Sequence, residues 1–496
     1  MAKQRADFFL PLALIYLVLP NLLFLGTWVK PCLGLPALVV VGAATGWFLW
    51  TSPSSSSRLA LTRPTWVGVV VLAFLWTLLT GVGGWVPQSM DYLKHNLLFH
   101  DLVQQPWPVT YQLPETGAHY LCYGLGYYLL PALGGAIVGG GSLPFLTFLW
   151  TWLGVGLVFY WVATFAGKPA QTLFIVLGFA ATGILWSSLK QVGVPGLCTP
   201  GNWDLNITQL GLKFNFNDSF TRFQYQPQHA LPGWLGAAAL YELLWVRQNP
   251  RGAFLAWAAC LLWSPLTCLG LLLLPLAALR RLRWQNYFEP VNLLGGGLLL
   301  VIVGIYLQGH LQVADAGPIW RLAAGTGWIF YYLLFLLLEL SPLFCLLLLD
   351  RQQPLPGPLR PLLYVSALLL LLLPLYRLGF ASDIRLQASG PALLFAALAA
   401  SHYLQSPGFT LKRPRFLLLV MALLLGAVLP LTRPWTNLLL NRQDFSYAHT
   451  AQTLGFRNLA EMRDPQFNSG ALYLGRPDSP AARWLLRPPA THPPGP

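Results

Sequence analysis

From Phe8 to Gly26 the chain reads FFLPLALIYLVLPNLLFLG without one charged side chain, and residues 328–349 read WIFYYLLFLLLELSPLFCLLLL with Glu339 as the lone charge. Runs this long and apolar match the hydrocarbon thickness of a bilayer, where a backbone must satisfy its own hydrogen bonds and is therefore helical. Comparable apolar segments recur at about 33–50, 65–83, 121–138, 143–165, 170–187, 231–247, 253–279, 292–308, 361–376, 389–403 and 415–431. The expected fold is all-α, a polytopic transmembrane helical bundle of about 11–14 spans, some of them half-length or re-entrant.

The net charge of +14 raises the question of nucleic acid, but the basic residues stand singly or in small groups at the ends of apolar segments. Lys3 and Arg5, Arg58 and Arg63, Arg247 and Arg251, Arg280 with Arg281 and Arg283, Arg351 and Arg360, and Lys412 with Arg413 and Arg415 mark cytoplasmic loops. No nucleic acid partner is expected; the partner is the lipid bilayer. Lys3 and Arg5 precede the first run and no small-residue cleavage site follows it, so it reads as a retained anchor of a multi-pass plasma-membrane protein with a cytoplasmic N-terminus. The six cysteines have no zinc or disulfide spacing.

Counting outward from these marks divides the chain into two N-terminal helices (1–64), a membrane domain (65–431) and a small extracytoplasmic tail (432–496). The outer loops are 84–120, 188–230, 309–325 and 377–388. Loop 188–230 reaches the outer face only if 253–279, with Trp263-Ser264-Pro265 at its centre, is a hairpin and 121–187 crosses an even number of times. Within the tail, TLGFRNLAEM and ALYLG are apolar enough to pack back onto the membrane domain, whereas THPPGP reads as disordered.

With 16 acids in the whole chain, chemistry concentrates in three polar islands. The first, 84–120, gathers Asp91, Asp101, Glu115, Lys94 and three histidines. MDYLKHNLLFHDL carries Met90, Leu93 and Leu97 apart from Asp91, Lys94, His95 and Asp101 on a helical wheel, which suits an interfacial helix. A carboxylate there can take a proton from a hydroxyl, and Lys94, His95 or His100 can bind phosphate; solvated charges on a plain surface helix are the other account. The second island, 214–235, interleaves phenylalanines with Gln226, Gln228 and His229, which suits a sugar or an aromatic belt equally. Asn206-Ile207-Thr208, ahead of this island, and Asn217-Asp218-Ser219 within it match the glycosylation pattern. The third, 376–394, has Arg377, Asp383 and Arg385 ahead of a helix start, where an anion can bind or an Asp383–Arg385 pair can order the loop. Asp204, Asp218 and Asp315 complete the outer acids, and Glu242 and Glu339 lie inside apolar segments, where relay groups are found.

At these islands the sequence resembles a group of bacterial multi-pass proteins through Asp91-Tyr92-Leu93-Lys94-His95-Asn96, Asp101-Leu102, Trp107-Pro108-Val109, Pro227-Gln228-His229-Ala230-Leu231-Pro232 and Asp383-x-Arg385 before Ser389-x-Pro391. That group in turn resembles the C-type (GT-C) fold of integral-membrane glycosyltransferases. The resemblance implies a polyprenyl-phosphate sugar donor, a glycan, lipid or protein acceptor, and an acid early in the first outer loop, here Asp91, as base or metal ligand. Lys94, His95, Asp101, Gln228, His229, Asp383 and Arg385 are then substrate-binding candidates, and Asp91 with Asp101 are the candidate ligands of a divalent cation, Mg or Mn. A transporter or flippase of lipid-linked saccharide, or a non-catalytic envelope-assembly subunit, are the alternatives.

Overall fold

The computed structural model describes residues 8–52, 61–113, 116–165, 167–179, 205–207, 212–279, 284–310, 316–323, 325–379, 382–440, 455–462 and 473–488. Glu115, Asp204, Asp315, Lys3, Arg5, Arg58, the Arg280–Arg283 group, Thr208 of the first glycosylation match and the THPPGP end lie outside these residues. Helices dominate. Six of those described are long and apolar enough to cross a membrane, or seven if the pair Trp328–Glu339 and Ser341–Gln352, bent by 67°, counts as one span. Five more apolar stretches are shorter. Long and shorter apolar helices together are consistent with an all-α bundle of several spans that includes half-length pieces.

Helix Asp383–Gln405 is the axis, with 89% of its apolar window buried, whereas Pro31–Thr51 and Pro414–Leu439 bury under a third of theirs and present the rest outward. Ala392, Ala396, Ala397, Ala399 and Ala400 are all but inaccessible along that axis. Small side chains there let neighbouring backbones come close, which is how helices pack without a hydrophobic force between them. Pro227–Tyr241 is buried along its whole length and continues through a π-turn to Val246. Glu242 at its end accepts from Trp161 Nε1 at 3.2 Å, and Glu339 stands at the bend of the broken pair.

The far end of the axis is closed by Asp350, which is inaccessible to solvent. It accepts from the Leu355 N–H at 2.7 Å, Arg360 Nε at 3.0 Å, and the Tyr364 and Tyr403 hydroxyls at 3.0 and 3.4 Å, tying three helices together. Asp350→Ala is expected to cost about 1–3 kcal/mol by leaving the buried Leu355 N–H without an acceptor, whereas the Tyr403 hydroxyl keeps Gln353 O at 2.9 Å. Thermal unfolding in micelles, with a midpoint several degrees below wild type, is the check.

The 253–279 segment breaks after Ala259, and Ser264 caps the helix Pro265–Leu271 by accepting from Thr267 N–H at 3.3 Å. At the break Leu262 O accepts from Gly126 N–H at 3.0 Å, so the chain reaches the level of residues 124–126 before turning back. In 121–178, Leu129–Val138 is half-length with Gly135 against Val103 and Leu143. Helix Leu143–Phe165, long and apolar enough to cross, follows, and Pro169–Gly178 packs back against it until Val176 O accepts from Ser219 Oγ at 3.1 Å. Island two therefore ends up beside island one.

The tail packs onto this same end. Leu474–Gly475 adds a third strand to the hairpin of Thr110–Leu113 and Gly117–Leu121, and Val29 bridges Leu486 while His310 bridges Gly475. It is docked on the bundle end, held at both 117–121 and 28–30.

Candidate functional site

Asp91 occupies the position before helix Tyr92–Gln104, yet its side chain caps nothing there. Its Oδ2 lies 3.7 Å from Lys94 Nζ, one turn on, and both side chains are little exposed. Burial raises the Asp91 carboxyl above its ordinary range, and the Lys94 charge opposes that rise. For Lys94, burial works against the charge, but Tyr123, Tyr473, Asp91 and Asp383 around it more than offset this and hold the ammonium above its usual range. The ammonium is 5.8 Å from the Tyr123 ring centroid and 5.9 Å from that of Tyr473, within cation–π reach.

The helix carrying these groups is embedded, not laid on a surface: Leu93, His95, Leu97, Leu98, Phe99, Asp101 and Leu102 are all buried. His95 has Nδ1 2.6 Å from the Tyr128 hydroxyl and Nε2 3.1 Å from Tyr225 O. A carbonyl only accepts, so Nε2 carries the proton and Nδ1 receives one from Tyr128. Burial, then the Lys94 charge, lowers His95 well below its ordinary range. It is a neutral strut between islands one and two, with both nitrogens occupied by protein groups. Ser89 Oγ, donating to Gln224 O at 3.0 Å, is a second strut.

Asp101 has other partners. Its Oδ2 accepts from the Tyr111 hydroxyl at 2.7 Å and from the Leu459 N–H of the tail at 2.9 Å, and its Oδ1 is 3.4 Å from His100 Nδ1. The carboxylate fastens the tail to the first outer loop. Asp91 and Asp101 do not make a donor set for a divalent cation, since one is paired with an ammonium and the other accepts from a phenol and a peptide. Among the described residues no three His, Cys, Asp or Glu side chains come together as ligands.

Gln228 and His229 open the fully buried helix Pro227–Tyr241. Gln228 Nε2 donates to the Tyr123 hydroxyl at 3.2 Å, and His229 Nε2 lies 3.5 Å from the same oxygen. Tyr123 is thus the meeting point of Lys94, Gln228 and His229.

Island three joins from the head of the axial helix. Ser382 holds a left-handed backbone (φ +58°), which a non-glycine residue adopts at a cost of about 1–2 kcal/mol and which recurs at functional sites. Gly379 (φ +77°) lies where a Cβ would be 2.3 Å from Asp383 Oδ2, so only glycine lets that carboxylate take its place. Asp383 is electrostatically coupled to Lys94, Asp91 and Arg385. Arg385, 1% exposed, donates from Nη2 to Asn215 Oδ1 at 2.6 Å.

Sequence reasoning passed over Arg222. It is buried and donates to Leu386 O, to Ser389 Oγ at 3.0 Å and to Asn217 O at 3.3 Å, stitching island two to island three. Burial lowers its guanidinium to about 10. Asp218 beside it caps helix Ser219–Tyr225 and pairs with Arg433 at 3.3 Å, and Ser219 is buried, so the second glycosylation match is built into the fold. A lone arginine amid phenylalanines was the available signal, because such a charge must find partners. Tyr123 and Tyr473 were also missed, one counted as part of a span and the other within the tail.

Asp91, Lys94, Gln228, His229, Asp383 and Arg385 therefore form one cluster at one end of the bundle, braced by His95 and Arg222, while Asp101 holds the tail. Comparison with known proteins found no matching family model, no similar curated protein and no similar solved structure.

Proposed function

We propose that this end of the bundle is the active site of an integral-membrane glycosyltransferase, which moves a sugar from a polyprenyl-phosphate donor to a lipid or cell-envelope acceptor on the extracytoplasmic face of the plasma membrane. The observation that carries the reading is the meeting of a carboxylate with raised proton affinity and a buried lysine from island one with an arginine from island three, next to an aromatic and amide surface to which island two contributes Gln228 and His229. Those are the groups that a displacement at an anomeric carbon needs: a base for the acceptor hydroxyl, cations for the departing phosphate, and partners for sugar hydroxyls. Asp91 takes the acceptor proton as its oxygen attacks, and the lipid phosphate leaves with inversion toward Lys94 and Arg385. The GT-C resemblance at Asp91 points the same way.

Lys94, coupled to both Asp91 and Asp383, supplies at this spot the positive charge that a metal would bring. Transfer in purified vesicles is therefore expected to survive EDTA; loss of activity that Mg or Mn restores would reverse that assignment. The reading as a whole is tested by deleting the protein and analysing lipid-linked sugars and surface glycans. One polyprenyl-phosphate sugar should accumulate as one glycan loses a residue. Unchanged pools of both would refute the transferase.

A further inference from the structure

The tail reaches the cluster in a fixed register. Tyr120 and Leu121 pair with Gly475 and Leu474, Cys122 N–H donates to Tyr473 O at 2.8 Å, and Arg476 N–H donates to Gly309 O at 2.8 Å. The Tyr120 ring fills the space beside two glycines: a Cβ on Gly475 would be 2.1 Å from it, and one on Gly309 would be 1.7 Å from its hydroxyl. This docking brings Tyr473 edge-on to Tyr123, ring centroids 5.1 Å apart at 84°, with Lys94 facing both rings. On the Tyr123 side lie buried polar atoms with no protein partner, Gln228 Oε1 and His229 Nδ1. Gln228 is fully inaccessible, and whichever way its amide is turned only one end meets Tyr123. Buried polar groups left open next to an aromatic pair call for a ligand that supplies hydrogen bonds and an apolar face.

We propose that Tyr123 and Tyr473 are the aromatic walls of a subsite for a neutral, hydroxyl-rich ring, that Gln228 and His229 bond its hydroxyls, and that the subsite exists only while the C-terminal tail is docked. The ring is neutral because the open groups are an amide and an imidazole, which meet hydroxyls without a countercharge. This rests on the reading of the cluster as a sugar-transfer site, and it assigns a positioning role to a residue from outside the membrane domain.

The test uses the full chain in nanodiscs and saturation-transfer NMR with methyl glycosides of neutral hexoses and pentoses, alongside methyl glucuronide. Wild type should transfer saturation to the neutral rings at least fivefold more strongly than to the glucuronide. Tyr473→Ala should lose that signal at least fivefold, as should Gly475→Leu, which undocks the strand with Tyr473 intact, while Tyr473→Phe keeps it. If Tyr473→Ala fails to fold, Tyr473→Leu against Tyr473→Phe decides the same point. Undiminished signal in the folded Tyr473 and Gly475 variants, equal signal from the glucuronide, or no glycoside signal in wild type would overturn the proposal. A chain that still transfers sugar in an Asp91-dependent way but fails these measurements loses the subsite and keeps the transferase. Neutral glycoside binding in a chain without transfer keeps the subsite and removes the transferase.

Discussion

Asp91→Asn is expected to abolish sugar transfer in vesicles supplied with lipid-linked sugar, a loss of about 10²–10⁴-fold, the range removed with a general base. The substitution keeps size and shape and takes away only the ionisable proton site. It should not unfold the chain, because the carboxylate caps no helix and its burial already disfavours its charge. Asp383 remains to balance Lys94. The pH profile gives an independent reading. A base must be ionised, so the rate falls as pH drops through the Asp91 pKa, and because burial raises that pKa the acidic limb should lie above the ordinary carboxylate range. His95, held neutral by burial, adds no limb of its own near its usual value. Residual activity in Asp91→Asn should lack the acidic limb. Full activity, or the same limb in the variant, would remove Asp91 as the base.

Much of this cluster was legible because charged residues are scarce here. In a chain with 9% charged residues, polar islands between apolar runs have few places to go, but the arginine-marked loops alone leave island two on the opposite side by simple counting, and only a hairpin at Trp263-Ser264-Pro265 brings it to the side of the other two. Trp263-Ser264-Pro265 was readable as a break because proline and a capping serine end a helix wherever they fall. The number of full spans was not readable. Leu129–Val138 and Pro169–Gly178 are apolar along their length yet only ten residues long, and hydropathy alone does not say whether such a piece lies in lipid or in protein. Which side chains meet was less legible still. Asp101 looks like Asp91 in sequence, and only the return of Leu459 in the tail makes it a fastening. His95 looks like a phosphate ligand until Tyr128 and Tyr225 take its two nitrogens. Both outcomes depend on contacts more than thirty residues apart, which no local pattern encodes.

Lys94→Met should lower transfer about 10²–10³-fold and change the shape of the pH profile, since the ammonium has two roles. Toward the departing phosphate it is a preorganised cation in a site poor in water, where removing one such group costs on that scale. Toward Asp91 it is the charge that holds the buried carboxyl down against its desolvation. Without it the Asp91 pKa rises further, so the acidic limb moves to higher pH and less of the base is ionised at neutrality. Alkaline pH should then recover part of the activity, the part lost through Asp91, but not the part lost at the phosphate. Lys94→Arg keeps the charge and should return the limb toward its wild-type position, with a plateau reduced by the altered reach of the guanidinium. Methionine leaves Tyr123 and Tyr473 a similar apolar stem to pack on, so neutral glycoside binding should persist in Lys94→Met while transfer fails. A Lys94→Met enzyme whose limb and plateau both match wild type would show that the lysine touches neither the base nor the leaving group, and the phosphate would then have to be met by Arg385 alone.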